Sequence, residues 1–139
     1  TQEIRSHVKY IEGSKPWDLA LMVHEDWESE GFYLYDAPTE LTQGWAAKII
    51  DSVSKVCPID LSEEIDEMKS EGGVISPDWA LINEDPKLAG QWAEAIYMHM
   101  TGRIRGTYTY EAPSSYDLMT RTRSLETAIL KSIALLDQA

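Results

Sequence analysis

With 139 residues, 43% of them hydrophobic and 26% charged, the chain has the make-up of one folded domain (1–139), which excludes a disordered or fibrous protein. Its 24 acidic and 12 basic residues, net −12, exclude a protein that coats nucleic acid with a basic surface. No apolar run reaches the roughly 20 residues that span a bilayer, no signal-peptide core opens the chain, and Cys57 is the sole cysteine. A cytoplasmic protein without membrane contact is therefore expected.

Taken in order, Ile4, Val8 and Ile11 are spaced for one face of an opening helix that Gly13 ends. Ser14 and Pro16 then predict the start of a second helix with the stripe Trp17, Ala20, Leu21, His24 and Trp27. Phe32–Asp36 reads as a short strand. Pro38 is expected to open a third helix along Leu41, Trp45, Ile49, Val53 and Val56, closed by Cys57-Pro58. Ser62 predicts a short acidic helix with Ile65 and Met68 inward, stopped by Gly72-Gly73. Ser76–Trp79 reads as one helical turn, and Asp85-Pro86 as the start of a helix that runs to Gly102.

The period then changes to two. Ile104, Tyr108 and Tyr110 alternate with Arg103, Arg105, Thr107 and Thr109, and Tyr116, Leu118 and Thr120 alternate with Asp117, Met119 and Arg121. With Ala112–Ser115 between them, these segments predict a β-hairpin. Ser124 is expected to cap a last helix on Leu125, Ile129, Ile133 and Leu136. The predicted fold is α+β, helix-rich, with a C-terminal hairpin packed by helices.

Charge is segregated along the chain. Residues 10–100 hold 19 acidic residues against five lysines, whereas all arginines but Arg5 fall within residues 103–123. Two acidic clusters stand out: Glu25, Asp26, Glu28 and Glu30, then Glu63, Glu64, Asp66, Glu67 and Glu71. Carboxylates held on rigid helices suit a basic partner. If the hairpin's apolar residues share one face, Arg103, Arg105, Arg121 and Arg123 share the other, where they are able to clamp an anion or pair with the protein's own carboxylates.

Other candidates are weaker. His24-Glu25-x-x-Glu28 has the opening of a zinc-protease H-E-x-x-H, but Glu28 replaces the second imidazole. His24 is thus expected to be a packed, hydrogen-bonded core histidine. Cys57 has no neighbour in sequence to lower its pKa. No metal site and no cofactor are expected, and no catalytic residue is assigned.

Trp79, Asp85-Pro86, Trp92-Ala93-Glu94-Ala95, the predicted hairpin and Leu125–Leu130 together resemble the phage ABA-sandwich domain, an α-β-β-α module, over residues 79–139. That resemblance implies no particular activity. It implies a mobile-element protein, for which an inhibitor or decoy role fits. The expected function is a non-enzymatic module that binds a basic or nucleic-acid-handling protein through Glu63, Glu64, Asp66 and Glu67. The alternatives are a small enzyme or binding protein that uses the arginine face for an anionic ligand, and a homo-oligomer in which that face docks on the acidic helices.

Overall fold

One strand organises the molecule: Ile104–Pro113 lies inside a six-stranded mixed sheet with helices on both faces. The structure, a computed structural model, describes residues 2–77 and 94–139. In chain order the elements are helix α1 (Gln2–Gly13), strands β1 (Trp17–Asp26) and β2 (Tyr33–Asp36), helix α2 (Trp45–Val53), strands β3 (Glu64–Ile65), β4 (Met68–Glu71) and β5 (Val74–Ile75), helix α3 (Glu94–Met100), strand β6 (Ile104–Pro113) and helix α4 (Leu118–Leu136). The strand order is β1-β6-β2-β5-β4-β3. The β1–β6 and β2–β5 pairs are parallel and the other pairs antiparallel.

The fold is α+β as expected, but the sheet is central, so the helix-rich body with a C-terminal hairpin is corrected. The segment expected as a second helix is β1. Its residues Leu19 and Leu21 pack on the same core as α2 and α4, while Ala20 and Met22 pack on the opposite face with Ile11, Met98 and Ile104. A strand covered on both faces reads as an unbroken apolar run, which helical spacing also fits.

The predicted hairpin over 103–121 is one strand followed by a helix. Asp117 decides this locally: its carboxylate accepts hydrogen bonds from the backbone N–H of Met119 at 3.0 Å and of Thr120 at 3.1 Å. That N-cap starts α4 seven residues before Ser124. The α-β-β-α order expected over 79–139 is therefore α-β-α in its described part.

On the first face, Trp45, Ile49 and Val53 of α2 and Ala128 and Leu135 of α4 enclose Leu34, Tyr108 and Tyr110. Gly44, at φ 75°, supplies the left-handed turn that starts α2 later than Pro38. The buried line of α4 is Ser124, Ala128, Ser132 and Leu135, whereas Ile133 is 46% exposed. Small residues win the inward position because α4 lies close against the sheet. Tyr110 Oη and Ser132 Oγ meet at 2.5 Å, and Ser132 Oγ also donates to the Ala128 carbonyl, so the tyrosine is the donor of the pair. Ser132→Ala should cost about 1–3 kcal/mol in urea unfolding because it strands a buried hydroxyl. Adding Tyr110→Phe should return part of that loss, and a further drop in the double variant would refute the pairing.

The acidic segment expected as a helix is the β3–β4 hairpin. Its two turn residues, Asp66 and Glu67, have φ of 53° and 58°, which a tight two-residue hairpin demands. Ile65 and Met68 face each other across that turn. The i, i+3 spacing that suggested a helix is also the spacing of two strand ends joined by two residues. The Ser76–Trp79 turn and the start of the helix at Asp85-Pro86 lie largely or wholly outside the described residues.

Candidate functional site

The sheet face opposite α2 and α4 carries two apolar clusters, one under α1 and α3, the other made by Tyr33, Ile65 and Ile75 with Tyr35 and Met68 against them. Between them the register places polar residues in rows. His24 of β1 pairs with Glu111 of β6, which pairs with Tyr33 of β2; the next row is Met22, Thr109 and Tyr35. Neighbouring strands lie about 4.8 Å apart, so each row is a continuous line of side chains.

The first row opens into a cleft of about 560 Å³. Glu25 and Asp26 at the end of β1, and Glu28 and Glu30 in the loop beyond it, form one wall. Asp60, Glu64 and Asp66 form another, and Glu111 lies with His24, Tyr33 and Tyr35 among the lining. Eight carboxylates thus converge, and no described lysine or arginine lines the cleft. Trp27, 78% exposed, also lines it, as does Ser29, which is 6% exposed and whose hydroxyl has no hydrogen-bond partner among the described residues.

Several of these acids are held in place. Tyr33 Oη donates to Asp26 at 3.1 Å and Tyr35 Oη to Asp66 at 2.7 Å. Burial raises both phenols above their ordinary range, so they remain neutral donors. Asp60 accepts from the backbone N–H of Glu30 at 3.2 Å and of Ser62 at 3.0 Å. Burial pushes the Asp60 carboxyl up, but the bonds from Ser62 and the Glu30 N–H outweigh it and hold it below its ordinary value. Glu111 is the exception. Burial first, then the charges of Asp26 and Asp66, push it up to about 7.

The structure separates the four acids expected to act together. Glu64 and Asp66 line the cleft, whereas Glu63 and Glu67 are exposed and lie outside its lining. It also divides the arginines, whose common face required the hairpin. The Arg103 guanidinium donates to the carbonyls of Ile11, Glu12 and Ser14 and so closes the end of α1. Arg105 pairs with Asp18 at 2.7 Å and Arg121 with Glu25 at 2.5 Å, while Arg123 is exposed on α4. His24 is exposed at the cleft and is not the packed core residue expected. Cys57 is buried, which raises its thiol pKa.

Glu111, Tyr33, Tyr35 and Asp60 were not singled out from the sequence. Glu111 carried a signal all the same, since it continues the Thr107, Thr109 alternation onto the polar face.

No family model and no curated protein matches the chain. Solved structures do. One is described as "Putative metallopeptidase" from Shewanella baltica OS155, with TM-score 0.70 and 21% identity over 94% of this chain and 44% of the other. A second, of the same description, is from Shewanella amazonensis SB2B, with TM-score 0.71 and 19% identity over 94% and 45%. A third, from Shewanella denitrificans OS217, has TM-score 0.61 and 21% identity over 82% and 38%. What this chain shares with them is the fold. It spans less than half the length of each. Among the described residues no group of three His, Cys, Asp or Glu side chains is placed to hold a metal ion. No helix among them is long and apolar enough to cross a membrane.

Proposed function

We propose that the acidic cleft binds a basic segment of a partner protein, of the kind that nucleic-acid-handling proteins present. The observation that carries this reading is the convergence of eight carboxylates from separate segments on one cleft that no described lysine or arginine lines. Trp27 adds an exposed indole face for a guanidinium or ammonium, worth about 0.5–1 kcal/mol at such a site. Ser29 adds a hydroxyl ready for a ligand. The role needs no chemistry from the protein, and an inhibitor or decoy of a basic protein is its natural form.

An arginine- and lysine-rich octapeptide serves as the test, titrated against the native chain at several salt concentrations. Glu28→Gln, Glu30→Gln and Glu64→Gln together should weaken it at least tenfold. Glu63→Gln with Glu67→Gln should change it less than twofold. Affinity should fall as salt rises, since exposed charges are screened over about 8–10 Å at physiological ionic strength. Equal losses in the two variants, or binding indifferent to salt, would refute the cleft as the site.

A further inference from the structure

A second cavity, of about 380 Å³, adjoins the acidic cleft and shares His24, Tyr35, Asp66 and Glu111 with it. Its body differs in character. Met22, Ala37 and Met68 line it, and Ala95 and Ile96 of α3 close it against the sheet. The size suits a small molecule, since such sites run from about 300 to 1,000 Å³. Thr107, also in the lining, is 3% exposed, and its Oγ1 has no hydrogen-bond partner among the described residues. A buried hydroxyl left unpaired in an apolar cavity is costly unless a ligand meets it.

Along β6 the cavity therefore runs from the carboxylates of Glu111 and Asp66, past Thr109 and the apolar side chains, to the unpartnered hydroxyl of Thr107, with Glu94 of α3 also in its lining. We propose that it binds a small amine whose ammonium lies between Glu111 and Asp66 and whose apolar body runs under α3 to a polar tip on Thr107. Charge complementarity selects the amine. Glu111 is half-buried, has the carboxylates of Asp26 and Asp66 for neighbours and has no ion-pair partner among the described residues, so an ammonium supplies a countercharge. The span selects the length. Thr107 and Glu111 are four residues apart on β6, about 13 Å along the strand. An extended tyramine separates its nitrogen and oxygen by about 8 Å, and two hydrogen bonds of about 2.8 Å complete the distance. The site shares Asp66 and Glu111 with the cleft, but Thr107 and the α3 cover are its own, and it does not depend on the cleft's partner.

Tyramine, phenethylamine and 4-ethylphenol are the probes, titrated calorimetrically into the native chain. Tyramine should bind one per chain, and about tenfold more tightly than phenethylamine, which lacks the hydroxyl, or 4-ethylphenol, which lacks the amine. Thr107→Val should abolish the advantage over phenethylamine, and Thr107→Ser should keep it. Glu111→Gln should abolish the advantage over 4-ethylphenol. Ile96→Trp, which fills the cavity from α3, should remove binding of all three even if the Thr107 variants fold poorly. Tyramine no tighter than 4-ethylphenol, or an unchanged preference in Thr107→Val, would overturn the proposal, as would full binding by Ile96→Trp. Failure of the basic octapeptide would leave these titrations unaffected, so the two readings fall separately.

Discussion

Gly31→Ala should destabilise the fold by about 3 kcal/mol and open the acidic cleft at the same time. A Cβ at Gly31 would stand 2.5 Å from both the backbone nitrogen of Asp60 and the carbonyl carbon of Ile59. Both are main-chain atoms, so no rotamer change relieves the clash and one segment must move. The approach is close because Phe32 donates its N–H to the Pro58 carbonyl at 2.8 Å and accepts from the Asp60 N–H at 3.0 Å. This short parallel bridge draws residues 58–60 against the start of β2. Through it Asp60 reaches the N–H of Glu30, and the loop that carries Glu28 and Glu30 is fixed to the opposite wall. Urea unfolding gives the stability loss. The octapeptide titration, run where the variant is still folded, should show weaker binding although no charge has been removed. A variant as stable as the native chain would mean that the bridge is free to slide. A destabilised variant with unchanged binding would mean that the bridge does not shape the cleft.

The sequence was most legible where a single period had a single interpretation. Phe32–Asp36 reads as a strand, and Trp45, Ile49 and Val53 do line the buried face of α2. Gly102, at φ 66°, does end α3. Legibility failed where one spacing serves two structures. Leu19–Val23 is apolar at every position because β1 is covered on both faces over much of its length, and an uninterrupted run satisfies a helical stripe as well as a strand. Ile65 and Met68 are three apart in a helix and directly opposed in a two-residue hairpin. Tyr116, Leu118 and Thr120 alternate, yet the Asp117 side chain captures two backbone donors and commits the segment to helix. The acidic clusters were visible as charge, but their meeting in one cleft was not. It depends on β6 lying between β1 and β2, a non-local pairing that brings His24, Glu111 and Tyr33 into line.

Glu111→Gln should make the protein more stable than the native chain at pH 8, by about 1–2 kcal/mol, and should leave it unchanged at pH 4. Glu111 has its folded-state pKa raised from 4.5 to about 7, chiefly by burial and further by Asp26 and Asp66. A raised carboxyl pKa means that the folded state holds the proton more tightly than the unfolded chain. The associated stability is fully present below pH 4.5 and is lost as pH rises through about 7. The unscreened shift corresponds to about 3 kcal/mol, and solvent reaching the half-buried carboxylate reduces it. Glutamine keeps the shape and remains neutral, so it escapes the penalty at pH 8 and matches the protonated acid at pH 4. The other titratable residues that line the two cavities, from His24 and the cleft carboxylates to Tyr33, Tyr35 and Glu94, are all kept in the variant. Subtracting the two stability curves therefore isolates Glu111. The difference should rise between pH 5 and pH 8. A flat difference would show that Glu111 ionises as it does in water, and that the carboxylate is not held in the site against its own solvation. A rising difference that vanishes with saturating tyramine would tie the penalty to the missing countercharge, because a bound ammonium stabilises the ionised native chain and has little to gain from the amide.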